Sequence, residues 1–344
     1  MNISEFVEKY DSQNQFKVLV ETYTQVDSAW NNKINIGKLK SGKFRNIILS
    51  GLGGSAISGD LMQNFLKDEL SLPFVVNRNY NLPGFADSST LLVISSYSGN
   101  TEETISVLQE GIQKKCHIVC ISTGGRVEEI AKKHKLAVVK IKQGYQPRFA
   151  LGLSFFSLLK VFTELELIKG QDSLVEKVRD LWQSKGQEYS GENNIALGCA
   201  EQLIGFIPLI YSAADYTSAA GYRFKCQLNE NSKLHSFHNV IPELNHNEII
   251  GWESYSDRQL NGKLINILDE SYNPQIKKRF EITTELAVKN GLEYLNIESE
   301  EDDFKVRLMD LIYLFDWITY YTAVLRGYDP SEIDNIHTLK ERLS

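Results

Sequence analysis

The stretch Asn46-Ile-Ile-Leu-Ser50-Gly-Leu-Gly-Gly-Ser55-Ala-Ile-Ser-Gly decides how this chain folds. Its first half is a continuous apolar run that ends at glycine, the pattern of a strand buried on both faces. Its second half opens a helix, predicted from Ser55 to about Lys67. The alternation then repeats downstream. Strand Leu91 to Ile94 leads to a helix from Thr101, strand His117 to Ile121 to a helix from Arg126, and strand Ala137 to Ile141 to a helix opening at Pro147. Strands alternating with helices of about 10 to 15 residues predict right-handed crossovers and a parallel sheet covered on both faces.

Lys169-Gly-Gln-Asp-Ser is a polar break, and a second series of elements follows it. Ile207-Pro-Leu-Ile-Tyr-Ser leads through Ala213-Ala-Asp-Tyr-Thr-Ser into a helix ending near Asn229. Strands at Leu264 to Leu268 and Tyr294 to Ile297 come next, then a long helix from about Asp302 to Arg326. The expectation is an α/β protein of two domains, residues 1–168 and 169–344, the second a weak echo of the first.

Composition narrows the function. The 344 residues, 42% apolar and 24% charged, suffice for a large core and for two domains. A net charge of −7 and the absence of any basic run argue against a nucleic-acid surface. Cys116, Cys120, Cys199 and Cys226 form no CxxC pair, which fits a reducing compartment. The start, Met1-Asn-Ile-Ser-Glu-Phe-Val-Glu-Lys, lacks the pattern of a secretory signal. The apolar segment Phe149 to Phe162 contains Lys160 and is shorter than the roughly 20 residues that span a bilayer. These features predict a cytoplasmic protein with no membrane partner.

Two strand-to-helix junctions carry chemistry. In Ser50-Gly-Leu-Gly-Gly-Ser55, small residues let the backbone approach a ligand, and the helix start favours an anion. A plain tight turn would need the same glycines. The segment also satisfies G-x-G-x-x-A, but the acidic residue that a dinucleotide site expects about 20 positions on is missing around Phe74-Val-Val-Asn-Arg. In Ser95-Ser-Tyr-Ser-Gly-Asn100-Thr-Glu-Glu, Asn100 with Glu103 reads as a capping box. Ser96, Ser98 and Thr101 equally supply hydroxyls to a phosphate, and the residues alone leave both readings open.

Further on, Gln146-Pro-Arg148-Phe-Ala places a cation at a predicted helix start, where a surface arginine would be the ordinary case. Gln227-Leu-Asn-Glu230-Asn-Ser-Lys-Leu-His-Ser-Phe-His and Glu243-Leu-Asn-His246-Asn-Glu248 concentrate carboxylates and imidazoles. His235, His238, His246, Glu243 and Glu248 could be read as metal ligands, but Ser236-Phe-His-Asn reads as a loop and no third ligand has a diagnostic spacing. The terminal helix carries Ile333, Ile336, Leu339 and Leu343 on one face, with Lys340 bordering it.

Gly53-Gly54-Ser55 and Ser96-Tyr-Ser-Gly-Asn-Thr101, in this setting, resemble the sugar isomerase (SIS) domain. Over the whole chain the resemblance is to the bifunctional phosphoglucose/phosphomannose isomerases, which are built of two such domains. It implies an α/β fold of two SIS-type domains, each a mainly parallel sheet flanked by helices on both faces. It also implies interconversion of glucose 6-phosphate, and mannose 6-phosphate, with fructose 6-phosphate through a cis-enediol(ate), without cofactor or metal. Gly54, Ser55, Ser96, Ser98 and Thr101 would hold the 6-phosphate. Glu230 would be the base, Arg148 would stabilise the enediolate, and His246 with Lys340 would help to open the ring. In the family the histidine crosses a dimer interface, which implies a homodimer with composite sites. Two rivals remain. A non-catalytic sugar-phosphate sensor would be expected to carry a helix-turn-helix output module, and an aminosugar synthase an N-terminal nucleophile domain; neither is expected here.

Overall fold

The protein is described by a computed structural model covering residues 3–257 and 260–343. It forms two compact units, Thr22–Asp180, and Met1–Glu21 together with Leu181–Ser344. The division differs from the sequence expectation of a break at 168/169. It falls inside helix α8 (Asp172–Tyr189), which starts within the predicted polar break at residues 169–173.

Helices α1 (Ile3–Tyr10) and α2 (Gln15–Val20) precede α3 (Tyr23–Trp30), with which the first unit begins. Its sheet and helices then alternate: β1 (Asn46–Ser50), α4 (Gly54–Phe65), β2 (Phe74–Asn77), β3 (Thr90–Ser96), α5 (Glu102–Gln113), β4 (His117–Ser122), α6 (Gly125–Lys133), β5 (Ala137–Lys140) and α7 (Leu151–Glu164). The strands are parallel in the order β2-β1-β3-β4-β5. All seven residues of β3 are buried, as the unbroken apolar run requires of a central strand. On one face Leu92, Ile94, Ile118 and Cys120 pack against Val107 of α5 and Ala131 of α6. On the other, α4 and α7 meet through Phe65 and Phe155, whose rings stand edge to face at 5.1 Å. Pro147–Phe149 forms a separate 3-10 turn, so α7 opens at Leu151 instead of Pro147.

The second unit continues with α9 (Ile195–Leu203), β6 (Ile207–Ala213), α10 (Ser218–Glu230), β7 (Phe237–Ile241), α11 (Glu248–Gly251), β8 (Gly262–Ile267), α12 (Pro274–Lys289), β9 (Glu293–Ile297), α13 (Phe304–Leu325) and α14 (Asp334–Leu343). Its strands are also parallel, in the order β7-β6-β8-β9. In each unit the first strand lies inside the sheet, with the second beside it on one side and the third on the other. The echo read weakly from the sequence is therefore one of topology. β7 corrects the reading of Ser236–Asn239 as a loop: a strand with exposed and half-buried residues lacks the apolar run by which the central strands were recognised.

α13 is long and apolar enough to cross a membrane, yet 94% of its most apolar stretch is buried, which makes it the core helix of this unit. Its Asp316 accepts from Arg223 at 2.8 Å and from Gln227 at 2.5 Å, both on α10. Tyr320 and Tyr313 of α13 donate to Asp11 Oδ2 (2.9 Å) and to the Leu19 carbonyl (2.7 Å), tying the first 21 residues to this unit.

Candidate active site

β1 and β3 are neighbours whose chains leave the sheet to opposite sides, so a crevice opens beyond their carboxyl ends, the switch point where doubly wound sheets bind ligands. Both predicted junctions open there. α4 begins at Gly54 behind Gly53, which has φ 50°, and α5 begins at Glu102, so two 12-residue helices aim their positive ends at the same place. Glycine at 54 is required by contact: a Cβ there would lie 2.7 Å from the Pro147 carbonyl oxygen. Gly99, at φ 71°, is held still tighter, its Cβ position being 1.8 Å from the Gly124 oxygen.

The hydroxyls are oriented by backbone donors. Ser55 Oγ accepts from Tyr97 N at 3.1 Å, Ser96 Oγ from Gly99 N at 3.1 Å, and Ser98 Oγ from Asn100 N at 3.2 Å. Ser96 Oγ and Thr101 Oγ1 are 3.1 Å apart. A hydroxyl that accepts an amide proton keeps its own proton to donate, which is what a phosphate oxygen needs. The expected capping box is absent. Thr101 is the N-cap of α5, without a side-chain cap bond, and Asn100 Oδ1 accepts from Arg126 N at 3.1 Å. The capping alternative for Asn100 therefore falls, because its carbonyl oxygen ties the loop after β4 to the loop after β3.

Arg148 is 5% exposed, contrary to the ordinary expectation of a surface arginine. Its backbone lies against Gly54, and its guanidinium reaches Gln146 Oε1 at 3.4 Å and packs 5.4 Å from the Phe149 ring centroid. Its backbone position beside the start of α4 adds a positive charge to the positive end of that helix.

Tyr97 escaped the sequence reading. Its amide holds Ser55 Oγ and its carbonyl accepts from Thr123 Oγ1 at 2.7 Å. Its hydroxyl donates to the Lys142 carbonyl (3.2 Å) and accepts from Tyr145 N (2.9 Å), bracing the segment that leads into Arg148. Only its place amid the serines could have drawn attention to it.

The remaining expected residues lie in the second unit. Glu230 is the last residue of α10 and half-buried. His246 is exposed and closes a 3-10 turn, Glu243–His246, after β7. Lys340 is exposed on α14, which buries none of its residues, so Ile336, Leu339 and Leu343 also face outward.

The metal set does not assemble. Ser212 Oγ engages His238 Nε2 at 2.7 Å, and Glu248 accepts from Tyr211 Oη (2.6 Å) and Asn239 Nδ2 (2.5 Å). Among the described residues no three His, Cys, Asp or Glu side chains are grouped to hold an ion. Burial and the charge of Lys225 push the His238 imidazole down to about 4.

At the equivalent switch point of the second unit, between β6 and β8, described side chains engage one another. Tyr272 hydrogen-bonds Thr217 and meets Tyr216 edge to face at 5.2 Å. Arg307 beside them is neutralised by Asp269, at 2.8 and 3.1 Å, and by Glu270 at 2.7 Å.

Fold and loops together define a doubly wound α/β protein with hydroxyls and two helix N-termini gathered at the switch point of its first unit. Comparisons specify the class further. The profile described as the bacterial phospho-glucose isomerase C-terminal SIS domain matches residues 192–343. A bifunctional phosphoglucose/phosphomannose isomerase of Caldicellulosiruptor bescii is 37% identical over 326 residues, 93% of this chain and 96% of that protein. One from Aquifex aeolicus is 33% identical over 308 residues, 87% of this chain and 91% of that protein. The crystal structure of a hypothetical protein from Thermus thermophilus shares the fold, with a TM-score of 0.76 at 14% identity, covering 99% of this chain and 94% of that one. The chain belongs to the bifunctional phosphoglucose/phosphomannose isomerase family.

Proposed function

We propose that this protein interconverts glucose 6-phosphate, and mannose 6-phosphate, with fructose 6-phosphate. The observation that carries the reading is the hydroxyl cluster at the ends of β1 and β3, where Ser55 and Ser96 Oγ each accept a backbone N–H and keep a proton to donate, with Arg148 buried close by. Family membership supplies the reaction.

Gly54, Ser55, Ser96, Ser98 and Thr101 hold the 6-phosphate, and its binding energy positions the sugar's other end for reaction. His246 and Lys340 assist ring opening. Glu230 takes a proton from C2 of the open aldose and returns it to C1, while a proton passes from the C2 hydroxyl to the C1 oxygen. Arg148 steadies the enediolate oxygen between the two transfers. C1 is reduced as C2 is oxidised, so no external reductant enters. C2 is planar in the intermediate, so rotation about C2–C3 admits both epimers.

Each half is an SIS domain, and the working form is a homodimer in which His246 serves the partner's site. Support for that arrangement comes from the second unit, where Glu230 ends α10 ahead of β7 and His246 follows β7.

A coupled assay that detects fructose 6-phosphate, run from each aldose with and without chelator, tests the reading. Product from both sugars, unaffected by chelator, is expected. No product from either would return the chain to the sensor class.

A further inference from the structure

The first unit seals the face of β4 with α6, which crosses to β5. Among the described residues the second unit has no fifth strand, and after β9 the chain runs on into α13. The position that α6 takes in the first unit is left as a groove of about 580 Å³ between α12 and β9. This is the size of a small-molecule site.

The groove is polar where its counterpart is apolar. In the first unit the paired residues Ile94 and Cys120 sit under α5 and α6. At the matching places Asn266 of β8 pairs with Asn296 of β9. Asn266 is 2% exposed, and its Nδ2 donates to Thr284 Oγ1 and to Asn296 Oδ1, both at 2.9 Å. Asn266 lines the groove, and its Oδ1 is buried and has no partner. A buried carbonyl left without a donor is costly, and a ligand with N–H groups would satisfy it.

The walls carry more negative than positive charge, with Lys277 the one lysine among several carboxylates in the lining. Glu281 and Glu285 stand one turn apart on α12, and Glu298 lies across the groove from them. None of the three has an ion pair among the described residues, whereas Asp269 and Glu270 at the groove's end are engaged by Arg307. Tyr294, 49% exposed on β9, offers an aromatic face to a cation. The carboxylates are spread along the groove and are not grouped as metal ligands.

We propose that this groove binds a small linear organic polycation of the polyamine class. Its ammonium groups pair with Glu281, Glu285 and Glu298 while an N–H reaches Asn266 Oδ1.

Titration calorimetry of the full chain with spermidine at low ionic strength tests this. Saturable binding at one site is expected, roughly tenfold weaker in the double variant Glu281→Gln/Glu285→Gln. It should be unchanged in a charge-matched control, Glu192→Gln/Glu201→Gln, on exposed carboxylates outside the groove. Tyr294→Ala, an independent arm, should weaken it several-fold. Absence of saturable binding, or equal weakening in both double variants, would overturn the proposal.

Discussion

Glu230 and His246 stand at opposite edges of one four-stranded sheet. α10 runs antiparallel to the strands it joins, so Glu230, its last residue, ends beside the start of β7, where Ser236 Oγ donates to Asn229 Oδ1 at 3.1 Å. β7 then returns along the sheet, and His246 follows it at the carboxyl edge. Five strand residues at about 3.3 Å each separate the two groups by roughly 16 Å, beyond the reach of one sugar. If both act on one substrate, the second comes from another copy of the chain.

Mixed subunits test that arrangement. Glu230→Gln and His246→Ala should each abolish turnover while leaving phosphate binding in place. Co-refolded in equal amounts, the two inactive variants should recover about a quarter of wild-type activity, because half the dimers are mixed and each mixed dimer has one complete site. A mixture as inactive as its parents rules out the shared site.

Ser96→Ala deletes the hydroxyl that accepts from Gly99 N and lies beside Thr101 Oγ1. Loss of one hydrogen bond to a charged group predicts a KM for the sugar phosphate raised roughly ten- to a hundredfold. The effect on kcat should be smaller. Steady-state kinetics with fructose 6-phosphate read both, and an unchanged KM removes Ser96 from the phosphate cradle.

Tyr97→Phe leaves the backbone contacts to Ser55 and Thr123 intact and breaks only the hydroxyl bridge to Lys142 and Tyr145. The expected result is a split. KM should hold, because the cradle is untouched, while kcat falls about tenfold as Arg148 loses its brace. Stability should drop by about 1 kcal/mol in urea titrations. Equal changes in both kinetic parameters would mean that Tyr97 supports the loops only as packing.

His238 makes a prediction about pH. Its folded value, pushed down to about 4, lies below the ordinary 6.5, so between these pH values the unfolded chain binds a proton that the native one refuses. Its contribution is complete above pH 6.5 and declines as pH falls towards 4, by up to about 3 kcal/mol. The raised carboxyls of Asp60 and Asp310, shifted up by burial, act in the opposite sense. The test is therefore a difference: His238→Gln should lose less stability than wild type between pH 6.5 and 4.5, measured by urea midpoints. Parallel curves for the two proteins sink the assignment.

Much of the site was legible because its parts are local. A glycine-rich turn after an apolar run, and three hydroxyls before a helix, can be read without knowing their neighbours. Arg148 was legible only as a residue type, since its burial depends on Gly54 meeting Pro147 from a distant part of the chain. β7 was missed for a related reason. An edge strand needs little apolar pattern of its own when β6 supplies its hydrogen bonds.

The sequence by itself determined the alternation of strands and helices, the two anion-seeking junctions and the family likeness, because periodicity and turn chemistry act over a few residues. Tertiary structure decided what depends on distant partners: the 2-1-3 strand order that opens the crevice, the burial of Arg148, and the placing of Glu230 and His246 at opposite edges. It also decided that the second unit's switch point is filled by Tyr272 and Arg307 while the groove beside it stays open. Burial and register follow from packing between elements, and no local stretch of sequence contains both sides of that contact.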